Sequence, residues 1–298
     1  MKLPDFLVVG AQKSGTTSLF LLLSKHPQLF LPLRKEVQFF SSPLFYPKGL
    51  DWYAKEFFNA CPEGKLAGEI SPQYMYSNEI ARRIHYALPK IKIIAILRDP
   101  IDRAYSQFMM SKRRGQEKRP FAEAFDASAK IYENVPEFQN YYHFSNYESV
   151  LSEYLRLYGR DSILILFQED LKSHPKEVIR QVCVFLDITE VIPENINVRV
   201  NQSGEVRFKF LARLIKSDSI ARKALSAFVP RKLRRIIIFW IDIFNIRPNN
   251  GDGITEELRN TYNGFARRQA AFLQSEFGLN PPWPEVMKIT TQNYPDCE

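Results

Sequence analysis

Short, continuous apolar runs alternate along this chain with longer segments in which apolar residues recur at helical spacing. The runs at 6–9, 65–70, Lys92–Leu97 and Ile163–Phe167 have the length and branched-aliphatic content of buried parallel strands. Helical spacing is predicted over 16–25, 49–58, 78–88, Phe121–Lys130, Tyr147–Tyr158 and Pro175–Leu186, with a further helix opening on Pro100. Residues 26–32 and 111–120 read as loops. Strands separated by helices imply right-handed crossovers and a parallel sheet covered on both faces, an α/β fold. From Val191 onward the strand pattern stops. There Phe210, Leu214, Ala221, Leu225 and Phe228 form an apolar stripe opposite Lys209, Arg213, Lys216 and Lys223, and 255–277 reads as a last amphipathic helix closed by Gly278. The expectation is one domain over 1–298, with an α/β core at 1–190 and a helical carboxy-terminal extension at 191–298.

The first strand runs into a glycine-bounded polar turn, Gly10 to Gly15, and then into a helix. Strand, turn and helix start together place free backbone N–H groups and the positive end of a helix dipole at one point, which suits a phosphate or a similar anion. The sequence is close to a nucleotide-triphosphate P-loop, but Thr16 stands in the lysine position and the lysine, Lys13, lies inside the turn. The apolar strand at Lys92–Leu97 leads to Arg98 ahead of Asp99, so a cation precedes the acid that would hold Mg²⁺ in an NTPase. Both motifs follow strand carboxyl ends, where α/β sheets bind ligands. A nucleotide with a 5′ anionic group and no obligatory metal fits these residue types.

Composition changes the picture in only two ways. Hydrophobic content of 45% and charged content of 25% over 298 residues are ordinary for a globular chain. The net charge of +8 is concentrated, however: residues 205–235 hold ten basic and two acidic residues, a surplus equal to the whole. Such a segment suits an anionic partner, and with the apolar run that follows it defines a membrane-surface or glycolipid docking surface at 205–240, or else a packed helical lid. Three dispersed cysteines and a first strand that starts almost at Met1 point to a reducing, cytoplasmic setting without a leader. The four histidines are scattered, no His/Cys/Asp cluster has metal-ligand spacing, and neither a metal nor a nucleic-acid partner is expected.

The turn Gln12-Lys13-Ser14-Gly15-Thr16-Thr17-Ser18 resembles the 5′-phosphosulfate loop of the sulfotransferases that use 3′-phosphoadenosine 5′-phosphosulfate (PAPS). The stretch from Leu97 to Ser106, LRDPIDRAYS, resembles their 3′-phosphate motif, which implies phosphate contacts from Arg98 and Ser106. Lys35 to Phe40, KEVQFF, is similar to a segment of the heparan sulfate 3-O-sulfotransferase branch, and the resemblance implies that Glu36 is the catalytic base. Residues 68–74, GEISPQY, are similar to a further element of that branch, which usually carries a lysine where this chain has Ile70. Nothing matches the branch's cysteine-bounded carboxy-terminal loop, and Asn201, Ser203 and Arg207 lie where its nucleotide contacts could be replaced.

The resemblance therefore implies sulfuryl transfer from PAPS to a hydroxyl or amine of a carbohydrate, glycolipid or metabolite, with Lys13 assisting the leaving group. Two other readings remain at this point. One is a P-loop kinase or NTPase, against which Thr16 argues; the other is a non-catalytic protein that holds a nucleotide or polyanion.

Overall fold

The structure, a computed structural model, describes residues 2–130, 139–193 and 254–284, together with the backbone of two short strands. The chain divides into two compact units, Met1–Asn197 with Ile254–Glu298, and Val198–Gly253.

In the first unit, β1 (Phe6–Gly10), β2 (Leu29–Phe30), β3 (Leu66–Ile70), β4 (Lys92–Leu97) and β5 (Ile163–Phe167) form one sheet. Its order is β2-β3-β1-β4-β5, parallel throughout, with Phe6 paired to both Gly68 and Lys92 and Ile93 paired to Ile163. The expected loop at 26–32 thus contains a strand. Only two residues long, β2 is too short to register as an apolar run and exists because Leu29 and Phe30 pair with Leu66 and Ala67.

Among the described residues, eight α-helices precede the last: α1 (Thr16–Leu23), α2 (Gly49–Phe57), α3 (Asn78–Ala87), α4 (Pro100–Arg113), α5 (Phe121–Lys130), α6 (Tyr147–Tyr158), α7 (Gln168–Ser173) and α8 (Pro175–Leu186). Two boundaries depart from expectation: α1 stops at Leu23, with Ser24 capping it, and α4 runs three residues, Ser111, Lys112 and Arg113, into the expected loop. Leu7 and Val9 of β1 bury into a cluster with Phe39, Phe40, Tyr53, Tyr74, Tyr147 and Trp283. The last helix, α9 (Glu256–Phe277), begins on a Thr255 side-chain cap and ends on Gly278 in the left-handed conformation. It buries Tyr262, Phe265 and Ala266 against Ile101, Phe108, Phe121 and Phe125 of α4 and α5.

The second unit contains β6 (Gly204–Val206) and β7 (Ile246–Pro248), an antiparallel pair with Glu205 opposite Arg247. Strand structure therefore continues past Val191, contrary to the sequence pattern. Three-residue strands are fixed by pairing between distant segments, and no local periodicity announces them. The amphipathic stripe at 210–228 and nearly all of the basic segment lie outside the described residues.

Candidate active site

Every strand carboxyl end from β3 to β5 delivers side chains to one region, and the turn after β1 is its centre. Gly10 is required there because a Cβ would lie 2.2 Å from Met75 Sδ. The Ala11 N–H donates to Ile96 O at 2.7 Å, tying the turn to β4, and Ser14 N–H closes it on Ala11 O at 3.2 Å. Lys13 adopts a positive φ of 71° and Gly15 one of 92°. A lysine in that region of backbone space is uncommon and persists only where its surroundings enforce it. Helix α1 then starts on Gly15 with no side-chain cap and no acidic residue in its first turn, leaving its N–H groups for an external anion. Thr16 and Thr17 are buried in that turn and Ser18 is half-buried beside it.

Polar atoms without partners converge on the turn. Ser14 Oγ, Gln12 Oε1 and Arg98 Nε are buried and make no hydrogen bond within the protein. Ser14 Oγ and Arg98 Nε are donors, and leaving each unpaired costs about 1–3 kcal/mol, which a ligand rich in acceptor oxygens removes; Gln12 Oε1 is an acceptor and is met only by a ligand O–H or N–H. This is how the residues present fit a phosphosulfate. Arg98 extends from the end of β4, and its Nη1 donates to Lys13 O at 3.5 Å, so its guanidinium lies against the turn. Ser106 is buried two turns along α4.

Arg103, on α4, is the feature that the sequence reading missed. It is fully buried and donates to Ser145 Oγ at 2.6 Å, Gln107 Oε1 at 2.8 Å, Tyr141 O at 2.8 Å and Gln12 O at 3.5 Å. All four acceptors are neutral. Burial lowers its pKa to about 10. The only advance signal was its place in the LRDPIDRAYS stretch.

Lys13 stands among these cations. Burial first, then Arg113, Arg98, Arg114 and Arg103, pull its ammonium from the ordinary lysine range down to about 7. A cluster of positive charge that suppresses its own protonation is poised for an anion.

Glu36 enters from the loop after β2, also with a positive φ, 60°. Its N–H donates to Ile70 O at 3.1 Å, its Oε1 accepts from Lys35 Nζ at 2.5 Å and its Oε2 from Gln73 Nε2 at 3.1 Å. Burial pushes this carboxyl up; the Lys35 charge, the hydrogen bonds from Lys35 and Gln73, and Lys13 outweigh burial and hold it below its ordinary value. Glu36 and Lys13 therefore sense each other's charge.

Glu69, the other carboxylate of this region, is held differently. It accepts from the hydroxyls of Tyr53, Ser71 (2.5 Å) and Tyr74 (2.7 Å), and burial raises its pKa. Ser71 Oγ also accepts from Gln38 N–H, and Tyr74 OH from Phe40 N–H. Glu69 thus anchors the loop that presents Glu36. Phe39 stacks on Tyr53 at 4.3 Å and fixes the same loop from its other side.

Asp99 caps α4, accepting from Ile101 and Asp102 N–H at 3.0 and 2.9 Å. Its own N–H donates to Glu169 Oε1 at 3.1 Å, so β5 joins the site through the start of α7. Asn201, Ser203 and Arg207 lie outside the described residues. Among the described residues no group of His, Cys, Asp or Glu is arranged to hold a metal, and no helix is long and apolar enough to cross a membrane.

A five-stranded parallel sheet flanked by helices, with a lysine-bearing turn after its first strand and an arginine after β4, defines an α/β protein. A family model described as "Sulfotransferase domain" matches residues 3–209, and this protein belongs to that family. It is 33% identical over 201 residues to the human bifunctional heparan sulfate N-deacetylase/N-sulfotransferase 2, covering 63% of this chain and 22% of that protein. It is 41% identical over 111 residues to the membrane-associated sulfotransferase kil1 of Dictyostelium discoideum, covering 37% of this chain and 23% of that one. The chain therefore spans less than a quarter of the length of these curated relatives. Its fold is that of a sulfotransferase from Alicyclobacillus acidocaldarius, with a TM-score of 0.68 at 22% identity over 96% of this chain and 100% of that one. A mouse sulfotransferase in complex with PAP superposes with a TM-score of 0.50 at 13% identity, over 98% and 89% of the two chains.

Proposed function

We propose that this protein transfers the sulfuryl group of PAPS to a hydroxyl or amine of an acceptor, leaving 3′-phosphoadenosine 5′-phosphate (PAP). The observation that carries the reading is the uncapped turn at 12–18, with Lys13 inside it and Arg98 against it, in a member of the sulfotransferase family. Sulfuryl transfer has a loose, in-line transition state, so the protein's task is to orient groups and stabilise charge. Lys13 neutralises the oxygen that departs with the nucleotide. Backbone N–H groups of 14–18 and the side chains of Gln12, Ser14, Thr16, Thr17 and Ser18 hold the 5′ end. The planar fork of Arg98, with Ser106, holds the 3′-phosphate. Glu36 Oε takes the acceptor's proton as the acceptor attacks sulfur.

The acceptor we favour is a carbohydrate, on the strength of the heparan sulfate N-sulfotransferases among the relatives. A cytoplasmic setting is part of the reading and rests on cysteine usage: Cys61 and Cys183 are both free thiols. The kinase or NTPase alternative has no observation in its favour.

Titration calorimetry with PAP and with AMP tests the nucleotide. PAP is expected to bind tighter, and Arg98→Ala should remove most of the difference, because one charge-assisted hydrogen bond contributes about 1.5–3 kcal/mol. Equal affinities in the unmutated protein would defeat the 3′-phosphate assignment.

A further inference from the structure

Lys35 is the residue before the proposed base, and its side chain is completely buried, at 0% exposure against 29% for Glu36. A buried lysine is rare without a reason, since removing an ammonium from water is costly unless an opposite charge meets it. Here the meeting is direct, Nζ to Glu36 Oε1 at 2.5 Å.

Three further constraints act on the same few residues. Glu36 and Gln38 both hold left-handed backbone, φ 60° each, which turns successive side chains of the loop in ways an extended strand would not. The Glu36 N–H is tied to Ile70 O, and the Gln38 N–H to Ser71 Oγ. Gln73 Nε2 takes the second carboxylate oxygen, while Gln73 Oε1 is buried with no partner. The carboxylate is therefore gripped at both oxygens by groups that are themselves buried, and it retains enough exposure to meet a ligand. Residue 70 is apolar in this chain, so the cation beside Glu36 comes from Glu36's own neighbour rather than from the end of β3.

We propose that Lys35 is a positioning residue for Glu36: it fixes the carboxylate's orientation, keeps it ionised until the acceptor arrives, and remains as the local cation once the carboxylate has taken the acceptor's proton. This rests on the sulfuryl-transfer reading. In the step itself the acceptor's O–H or N–H bond breaks and its proton passes to Glu36. The acceptor's electron pair forms the new bond to sulfur, and the old S–O bond's pair leaves with the nucleotide. Glu36 changes from −1 to 0 while Lys35 stays at +1. The pair, neutral before the step, thus acquires a net positive charge as negative charge builds on the departing oxygen. Lys13 is the other cation whose charge reaches Glu36, and in this scheme it is the one that meets the departing oxygen; Gln73 and the Ile70 carbonyl are uncharged throughout.

The decisive measurement is the carboxylate ¹³C titration of Glu36, assigned by its loss in Glu36→Gln, in the unmutated protein, Lys35→Met and Lys35→Arg. PAP calorimetry and thermal melting on each variant establish that it is folded. The unmutated midpoint is expected below that of an ordinary glutamate. Lys35→Met should move it above, because burial is then opposed only by the Gln73 hydrogen bond and the weaker influence of Lys13, and Lys35→Arg should return it most of the way. With PAPS and a de-N-sulfated heparan oligosaccharide as the probe acceptor, Lys35→Met should lower kcat at least tenfold with little change in KM for PAPS, and shift the acid limb of the pH profile upward with the NMR midpoint. An unmoved midpoint in folded Lys35→Met overturns the inference and leaves the sulfotransferase reading intact. Failure of the unmutated protein to bind PAP overturns that reading instead, and the titration still reports whether Lys35 governs Glu36.

Discussion

A lysine and a glutamate carry the chemistry proposed here, and both pay in backbone strain for their positions: Lys13 and Glu36 are two of four non-glycine residues with positive φ among the described residues. Their environments push them in useful directions. Glu36 is held ionised and can accept a proton, so Glu36→Gln should reduce turnover by about 10²–10⁴-fold while PAP affinity, read by calorimetry, stays nearly constant. Lys13→Ala should damage both, because that cation meets the anion before and during transfer. Lys13 also predicts a pH dependence. Its free-state pKa is about 7, and a bound polyanion raises it, so binding takes up a proton. PAP affinity should therefore fall as pH rises above 7, and calorimetry at pH 7.5 in buffers of different ionisation enthalpy should register net proton uptake. Proton release on binding would show that Lys13 is not where the anion sits.

At the scale of elements, α4 does the most to assemble the site. Asp99 starts it, Ser106 lies along it, and Arg103 ties it to the turn through Gln12 O and to the 141–145 segment through Tyr141 O and Ser145 Oγ. Arg103→Met strands these buried acceptors and should lower stability by about 3 kcal/mol in urea unfolding, with a weakened grip on the anion turn. A change under 1 kcal/mol would mean that the acceptors find other donors. Most of this architecture was legible beforehand. The runs at 6–9 and Lys92–Leu97 are long enough to announce strands, Pro100 announces a helix start, and the polar turn between Gly10 and Gly15 announces an anion. The rest is set by pairing across long separations. Leu29 and Phe30 become a strand only because β3 lies alongside, and β6 and β7 only because they find each other. The role of Arg103 was hidden for a similar reason, since its partners come from residues 12, 107, 141 and 145. Glu69 is committed to three hydroxyl donors, an arrangement that no local pattern reveals.

For the whole molecule, the proposed scheme contains no metal: the lysine and arginines supply the charge that Mg²⁺ supplies in P-loop NTPases. Transfer from PAPS to the heparan probe should accordingly persist in excess EDTA. Loss on chelation with recovery on adding Mg²⁺ would return the NTPase-like scheme to first place. The first unit is also closed by residues far along the chain. Arg259 of α9 donates to Asp102 at 2.6 Å, Gln269 Oε1 accepts from Glu148 N–H at 3.0 Å, and Trp283 is fully buried against Tyr147 and Phe167.

That closure has a consequence for how the protein is made. The sheet is complete once β5 has been translated, yet the apolar faces of α4, α5 and α6 keep waiting for α9, which starts about 90 residues downstream, and for Trp283, about 115 downstream. At ribosomal speeds of about 5–20 residues per second the delay is roughly 5–20 s, during which a nascent chain exposes Phe108, Phe121, Phe125 and Tyr147. A ribosome stalled anywhere within that interval would hold a folded sheet with an uncovered side, a natural client for a holdase chaperone.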